Sequence, residues 1–334
     1  MPVSVVVGGQ FGSEGKGKVA HYLARTMQAE YVIRCGGTNS GHTVIDENGK
    51  LYSFRQLPTA AILPNVKLIL CPGSYIDLDI LHEEVSRLQL SNDRLLIDEK
   101  SVIITSDHKK MEEQTGLISS IASTGSGTGA AVVSRIMRKK TIFAKDIPSL
   151  RPFITNTSEI LNDGLKKNSR IILEGTQGFG LSILHSEFYP NVTSRDTTAA
   201  AFIAEAGLSP FDIDDIALVI RSYPIRVGGD SGPLPHEISW DEVTSIGCHA
   251  RHIQEFTTVT KKLRRVARFD PKIVKMAINA NKPTKIFLNH IDYVHKNIEN
   301  DENLLSNYLS CIEKLIGRRI DYLGFSKEKI HVRK

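Results

Sequence analysis

Apolar and polar positions along the chain follow two periods, and the change from one to the other marks its elements. Val3, Val5, Val6 and Val7 make a short β-branched run that empties into residues 8–18, rich in glycine. Such a run suits a strand buried on both faces of a parallel sheet. Helical spacing follows over residues 19–28 and a second strand over 31–35, a βαβ opening. Further strands are predicted at 66–70, 95–97, 170–174, 216–220 and 285–288, and helices at 77–90, 197–206 and 272–280. Asn48-Gly49 between two β-rich runs predicts a hairpin turn over 46–50, since Asn-Gly readily supplies positive φ. The whole predicts an α/β fold, a mostly parallel central sheet with flanking helices and long active-site loops. Residues 1–334 are read as one domain, without internal repeats or low-complexity tracts.

Composition narrows the classes. With 334 residues, 41% hydrophobic and 24% charged, the chain can bury a sizeable core. No apolar run approaches a membrane span, and the first residues lack a signal peptide's basic segment and hydrophobic stretch, so the expectation is cytoplasmic. Cys35, Cys71, Cys248 and Cys311 are scattered without a CxxC pair, which predicts free thiols. A net charge of +5 suits anionic substrates, but no basic patch is interleaved with aromatics, so neither a nucleic-acid nor a membrane partner is expected.

Candidate chemistry lies in the polar loops. Gly8-Gly9-Gln10-Phe11-Gly12-Ser13-Glu14-Gly15-Lys16-Gly17-Lys18 reads as a phosphate-binding strand-loop-helix: glycines for close backbone approach, a helix N-terminus for its free N–H groups, and Lys16 and Lys18 for charge. It is not the ordinary P-loop, because Gly9 to Gly15 holds one residue too many and Gly17 stands where the magnesium-binding Ser or Thr would be. A plain glycine-rich turn is the alternative. Gly36-Gly37-Thr38-Asn39-Ser40-Gly41-His42-Thr43 leaves the second strand with a lone imidazole well placed for chemistry. Residues 121–129 are small and hydroxylated, either a flexible linker or a donor-rich loop. Residues 175–178 and 189–194 form a further polar pair, and 255–270 carries five basic residues that could hold a dicarboxylate or lie solvated.

Taken together, these loops resemble those of the adenylosuccinate synthetase family, which joins aspartate to a purine nucleotide at the expense of a nucleoside triphosphate. The motifs extend from residue 8 to about 325. The resemblance implies catalytic roles for Ser13, Lys16, His42 and Gln177, with His42 as general acid towards the phosphate carried on the purine O6. It implies that Ser13, Asn39, Ser123, Thr124, Arg138, Gln177, Thr193 and Val227 bind the acceptor nucleotide, Arg138 reaching the other subunit's site in a homodimer. Ser13, Glu14, Gly15, Lys16, Gly17, Gly41, His42, Thr43, Asn289, Asp292 and Gly324 would bind the triphosphate donor. Thr257, Thr258, Val259, Thr260, Lys262 and Arg264 would bind L-aspartate, and Ser13 and Gly41 would meet the cofactor Mg2+.

The chain departs from the family at informative places. Ser13 stands where the family carries an Asp that serves as base towards N1 and as magnesium ligand; a hydroxyl cannot replace that base at neutral pH. The change resembles a phage branch, the 2-amino-2'-deoxyadenylosuccinate synthetases, which use dGMP in place of IMP for diaminopurine DNA. Lys262 replaces an arginine that helps hold the ribose 2'-hydroxyl, which is compatible with a deoxyribose. Asn289-His290-Ile291-Asp292 keeps the Asp but not the Lys of the guanine-reading motif, so ATP or dATP becomes the expected donor. The leading expectation is a ligase acting on dGMP, L-aspartate and ATP or dATP. The alternatives are an ordinary synthetase using IMP and GTP, and a nucleotide-binding regulator without chemistry.

Overall fold

A computed structural model of the chain describes residues 2–257 and 261–333. Its centre is an eleven-stranded sheet ordered Lys329–Val332, Tyr322–Phe325, Lys285–Asn289, Ile213–Arg221, Val3–Gly8, Ile171–Glu174, Tyr31–Gly36, Lys67–Ile76, Leu95–Asp98 and Ile154–Thr155. Val102–Ile103 pairs with the end of Lys67–Ile76. Among the described residues every pairing in this sheet is parallel except the closing hairpin, Tyr322–Phe325 with Lys329–Val332.

All six residues of Val3–Gly8 are buried, as the valine run predicts for a central strand. Val3, Val5 and Val7 face one core with Phe202, Ile203, Val274 and Ile312, whereas Val6 faces a second with Val19, Leu23, Leu68 and Leu81. Helices therefore cover both faces, and each fully buried valine contributes about 1.5–3 kcal/mol over an exposed one. Four central strands, Val3–Gly8, Ile171–Glu174, Tyr31–Gly36 and Ile213–Arg221, run in one direction, so the loops that leave them open on one edge, where ligands of open α/β sheets bind.

The predicted elements are present with shifted ends. The first helix is Lys16–Thr26, starting earlier than its apolar spacing because Gly15, at φ 92, is already its N-cap. Asp77 caps Leu78–Leu88 and Thr198 caps Ala199–Ala206, so two polar residues read as helical are caps. The turn over 46–50 joins His42–Ile45 to Leu51–Phe54, with the Asp46 carboxylate accepting from the Asn48 and Lys50 N–H groups. Glu302–Ile316 was not predicted, although Asp301 caps it and its buried Leu309, Ile312 and Ile316 keep helical spacing. Among the described residues, no helix is long and apolar enough to cross a membrane.

Candidate functional site

Residues 8–18 form a loop that holds itself open. Glu14 is buried and turns inward: Oε1 accepts from the Gln10 N–H (3.1 Å) and the Gly12 N–H (2.8 Å), and Oε2 takes Lys16 Nζ at 2.6 Å. The Asn289 amide donates to the Glu14 carbonyl at 2.8 Å. Gly17, the departure from the ordinary P-loop, has a packing reason. A Cβ there would lie 2.7 Å from Thr59 Cγ2 and 2.9 Å from His42 Cβ, so glycine lets the helix start lie against the His42 strand.

Two clefts open beside this loop and share a wall of Ser13, Lys16, Gly41, His42, Thr257 and Arg264. The first cleft is completed by Phe11, Asn39, Ser123, Thr124, Gln177 and Val227, with Lys262 at its rim; among the described residues, no Asp or Glu lines it. The second runs past Gly15, Gly17 and Thr43 to His290 and Tyr293, whose ring centroids are 5.1 Å apart. Such a shared wall suits a group passing between ligands in the two clefts. Ser13 (φ 55), Ala122 (φ 52) and Gln177 (φ 63) line the first cleft in the left-handed region, a conformation that surrounding structure must impose on non-glycine residues. The Ser40 and Thr124 hydroxyls are buried there without partners among the described residues, which leaves them as donors for an anion.

His42 is oriented from behind. Its Nδ1 bonds Glu174 Oε1, which also accepts from Arg34 Nη1 at 3.2 Å, while Glu174 Oε2 accepts from the Thr59 N–H (2.8 Å) and hydroxyl (2.7 Å). Burial, and then the neighbouring Arg34 charge, lower the His42 pKa to about 4 despite the carboxylate. Burial pushes Glu174 up, but its bond to His42 and the Arg34 charge hold it below the usual carboxylate range. Glu174 is thus ionised and the His42 imidazole neutral. The Nδ1 proton is assigned from that acceptor-only partner, which turns Nε2 to the clefts.

Ser13 is held at both ends. Arg264 Nη1 donates to its hydroxyl, and Arg221 Nη1 donates to its carbonyl at 3.0 Å. Arg221, fully buried, pairs through Nη2 with Glu255 Oε1 at 2.5 Å. Burial pushes Glu255 up, yet Arg221 first, then His290 and Arg264, bring its pKa down to about 2.

Several predicted residues sit elsewhere. Thr193 lines a smaller polar cavity that shares Asn39 and Gln177 with the first cleft. Arg138 is exposed just past the helix Thr128–Ile136 and lines neither cleft of its own chain. Asn289, Asp292 and Gly324 also line neither: Asn289 braces Glu14 and packs on Gly324, and Asp292 keeps one buried carboxylate oxygen without a partner among the described residues. Burial raises Asp292 above the usual carboxylate range. Thr258, Val259 and Thr260 lie outside the described residues. Glu174, Arg34, Arg221 and Glu255 were missed as functional residues. For Arg34, Glu174 and Arg221 the signal was charge in the apolar run of a strand, whereas Glu255 lies outside any strand and gave no such signal.

Among the described residues, no group of three or more His, Cys, Asp or Glu could hold a metal. The donors offered to Mg2+ are the Gly41 carbonyl and the Ser13 hydroxyl, and the latter already accepts from Arg264. Such a sparse set fits an ion held chiefly by substrate phosphates.

Comparison with known proteins agrees with this geometry. The adenylosuccinate synthetase family model matches residues 5–148 and 142–301. Adenylosuccinate synthetase of Pyrococcus horikoshii is 38% identical over 300 residues, covering 89% of this chain and 86% of the relative. That of Thermococcus sibiricus is 35% identical over 342 residues, covering 99% and 98%. The structure is also similar to cyanophage S-2L succinoaminodeoxyadenylate synthetase bound to dGMP and dATP, with a TM-score of 0.84, 30% identity and coverage of 99% and 95%. Adenylosuccinate synthetase from Plasmodium falciparum shares the fold at a TM-score of 0.88 over 100% of both chains, with 21% identity.

Proposed function

Because the chain belongs to the adenylosuccinate synthetase family of C–N ligases, we propose that it joins L-aspartate to C6 of dGMP at the expense of ATP or dATP. The products are 2-amino-2'-deoxy-N6-succinyladenylate, the nucleoside diphosphate and phosphate, a step towards diaminopurine DNA. One observation carries this reading: Ser13 faces a cleft that, among the described residues, no Asp or Glu lines, which leaves room for a 2-amino group beside N1. The cyanophage relative, which holds dGMP and dATP, supports it.

In this reading the first cleft takes dGMP and the second the triphosphate. Thr124, Ser123, Asn39 and Thr193 receive the 5'-phosphate, Gln177 orients the base and the Val227 carbonyl meets the sugar. Lys16, released from Glu14, moves onto the donor phosphates beside Gly15, Gly17, Gly41 and Thr43. Mg2+, held by those phosphates and the Gly41 carbonyl, would offset their charge. His290, kept neutral by burial and then by Arg221, offers a ring to a purine where the family's lysine would read guanine. The γ-phosphoryl group passes across the shared wall to O6, and the aspartate amine then attacks C6 and expels O6 with that group as inorganic phosphate. Triphosphate charge beside His42 raises the proton affinity that burial and Arg34 lower, so the imidazole can act as acid on the transferred phosphoryl. Arg264, Lys262, Thr257 and the segment 258–260 receive aspartate. Arg138 would serve a partner's site, and the exposed Ile136 and Met137 beside it offer that second copy an apolar surface. The working place would be the cytoplasm.

The ordinary reaction on IMP with GTP is a second reading, favoured by the higher identity to the archaeal synthetases. Aspartate-dependent phosphate release measured for IMP, GMP and dGMP against ATP, dATP and GTP separates the two. We expect dGMP with ATP or dATP to lead; a lead for IMP with GTP overturns the proposal, and no turnover would leave a regulator.

A further inference from the structure

Glu255 is an acid in a segment otherwise dominated by basic residues, and its side chain is one-fifth exposed. Its backbone is fixed: the Arg264 N–H donates to the Glu255 carbonyl at 2.8 Å, and the Trp240 indole donates to the Arg264 carbonyl at 2.7 Å. Its carboxylate takes Arg221 at 2.5 Å and lies 4.0 Å from Arg264 Nε. Arg221 cannot drift, since Gln10 bonds both its N–H (2.9 Å) and its carbonyl (3.1 Å) and its guanidinium stands over the Tyr293 ring. One carboxylate thus faces two guanidiniums. It balances the buried Arg221 charge and leaves Arg264 with surplus positive charge. Arg264 Nε is spent on the Phe256 carbonyl and Nη1 on Ser13, whereas Nη2 has no partner among the described residues and the side chain lines both clefts.

We propose that Glu255 is a positioning residue for aspartate: through Arg221 and Arg264 it sets the Ser13 hydroxyl and the substrate-facing guanidinium against one another. The proposal rests on the ligase reading above, in which Arg264 receives an aspartate carboxylate. It makes aspartate affinity depend on the residue that faces the purine, because Arg221 and Arg264 reach Ser13 from the same acid. Glu255 does not line the first cleft, so in this reading it touches neither dGMP nor the O6 that receives the phosphoryl group.

The test uses the full chain with Glu255→Gln, which keeps the shape and removes the charge. Two quantities are read: the KM for aspartate, and the scrambling of the ATP β,γ-bridging oxygen with dGMP but without aspartate, which reports reversible phosphoryl transfer. We expect the aspartate KM to rise about tenfold or more, the loss expected when a charge-assisted contact is weakened. Scrambling should stay within about twofold of wild type. Should Glu255→Gln fail to fold, Glu255→Asp, which keeps the charge but withdraws it from both guanidiniums, should raise the aspartate KM in the same way. An unchanged aspartate KM in a folded variant, or scrambling that falls in step with turnover, overturns the proposal. Absence of dGMP-dependent scrambling in the wild type would instead overturn the ligase reading beneath it.

Discussion

Ser13 and His42 stand on the wall between the clefts, and each carries a residue-scale prediction. A carboxylate at position 13 would crowd a 2-amino group and pair with Arg264, which now donates to the hydroxyl. Ser13→Asp should therefore lower dGMP turnover about tenfold or more, a cost of about 1.4 kcal/mol, while turnover of IMP falls less or rises. Steady-state phosphate release on both nucleotides reads the ratio, and an unchanged ratio removes Ser13 as the selectivity residue. His42→Ala should leave nucleotide binding largely intact and lower turnover by about two to four orders of magnitude, the contribution of a positioned acid. Comparable turnover in that variant would end the assignment. At the rim of the first cleft, Lys262→Arg restores a planar fork and should shift the dGMP to GMP preference towards the ribonucleotide. Paired rate measurements would show it, and an unmoved preference would count against it.

At the scale of elements, the site is a set of loops braced by side chains from distant strands. Asn289, which ends the strand Lys285–Asn289, holds the phosphate loop through the Glu14 carbonyl, so its role is legible only once the two segments meet in space. The loop of the aspartate segment is tied down by Glu255, and this gives a pH prediction. Its folded pKa, about 2, lies below the unfolded value of about 4.3, so its stabilisation is present above pH 4 and is lost as pH falls towards 2. Glu255→Gln should accordingly be less stable than wild type at neutral pH, with the gap narrowing below pH 4. Denaturant midpoints of both proteins across that window give the answer; a gap independent of pH would mean that the carboxylate charge is not what stabilises the segment.

For the molecule as a whole, Arg138 lies past the end of the helix Thr128–Ile136 and lines neither cleft of its own chain, and the proposed reading gives it a place in a second subunit's site. If so, His42→Ala and Arg138→Ala subunits mixed together should recover about a quarter of wild-type activity, since random pairing makes half the dimers mixed and repairs one of their two sites. No recovery would mean that Arg138 does not complete a partner's site, and an Arg138→Ala protein as active as wild type would place it outside the site. The strands and the loops that carry the site were legible in the chain itself, because a valine run such as Val3 to Val7 fits only a doubly covered strand and glycine clusters such as 8–18 can end one only in a loop. The departure at Ser13 was legible too, being a loss of charge in a motif that otherwise holds together. The partners of those residues were not. Glu174 behind His42 is 132 residues away, and Arg221 lies 208 from Ser13 and 34 from Glu255. Residue type and local spacing determine which strands and loops form. Which buried charge meets which loop is decided by sheet order, since strands adjacent in the sheet bring together groups that local periodicity cannot relate.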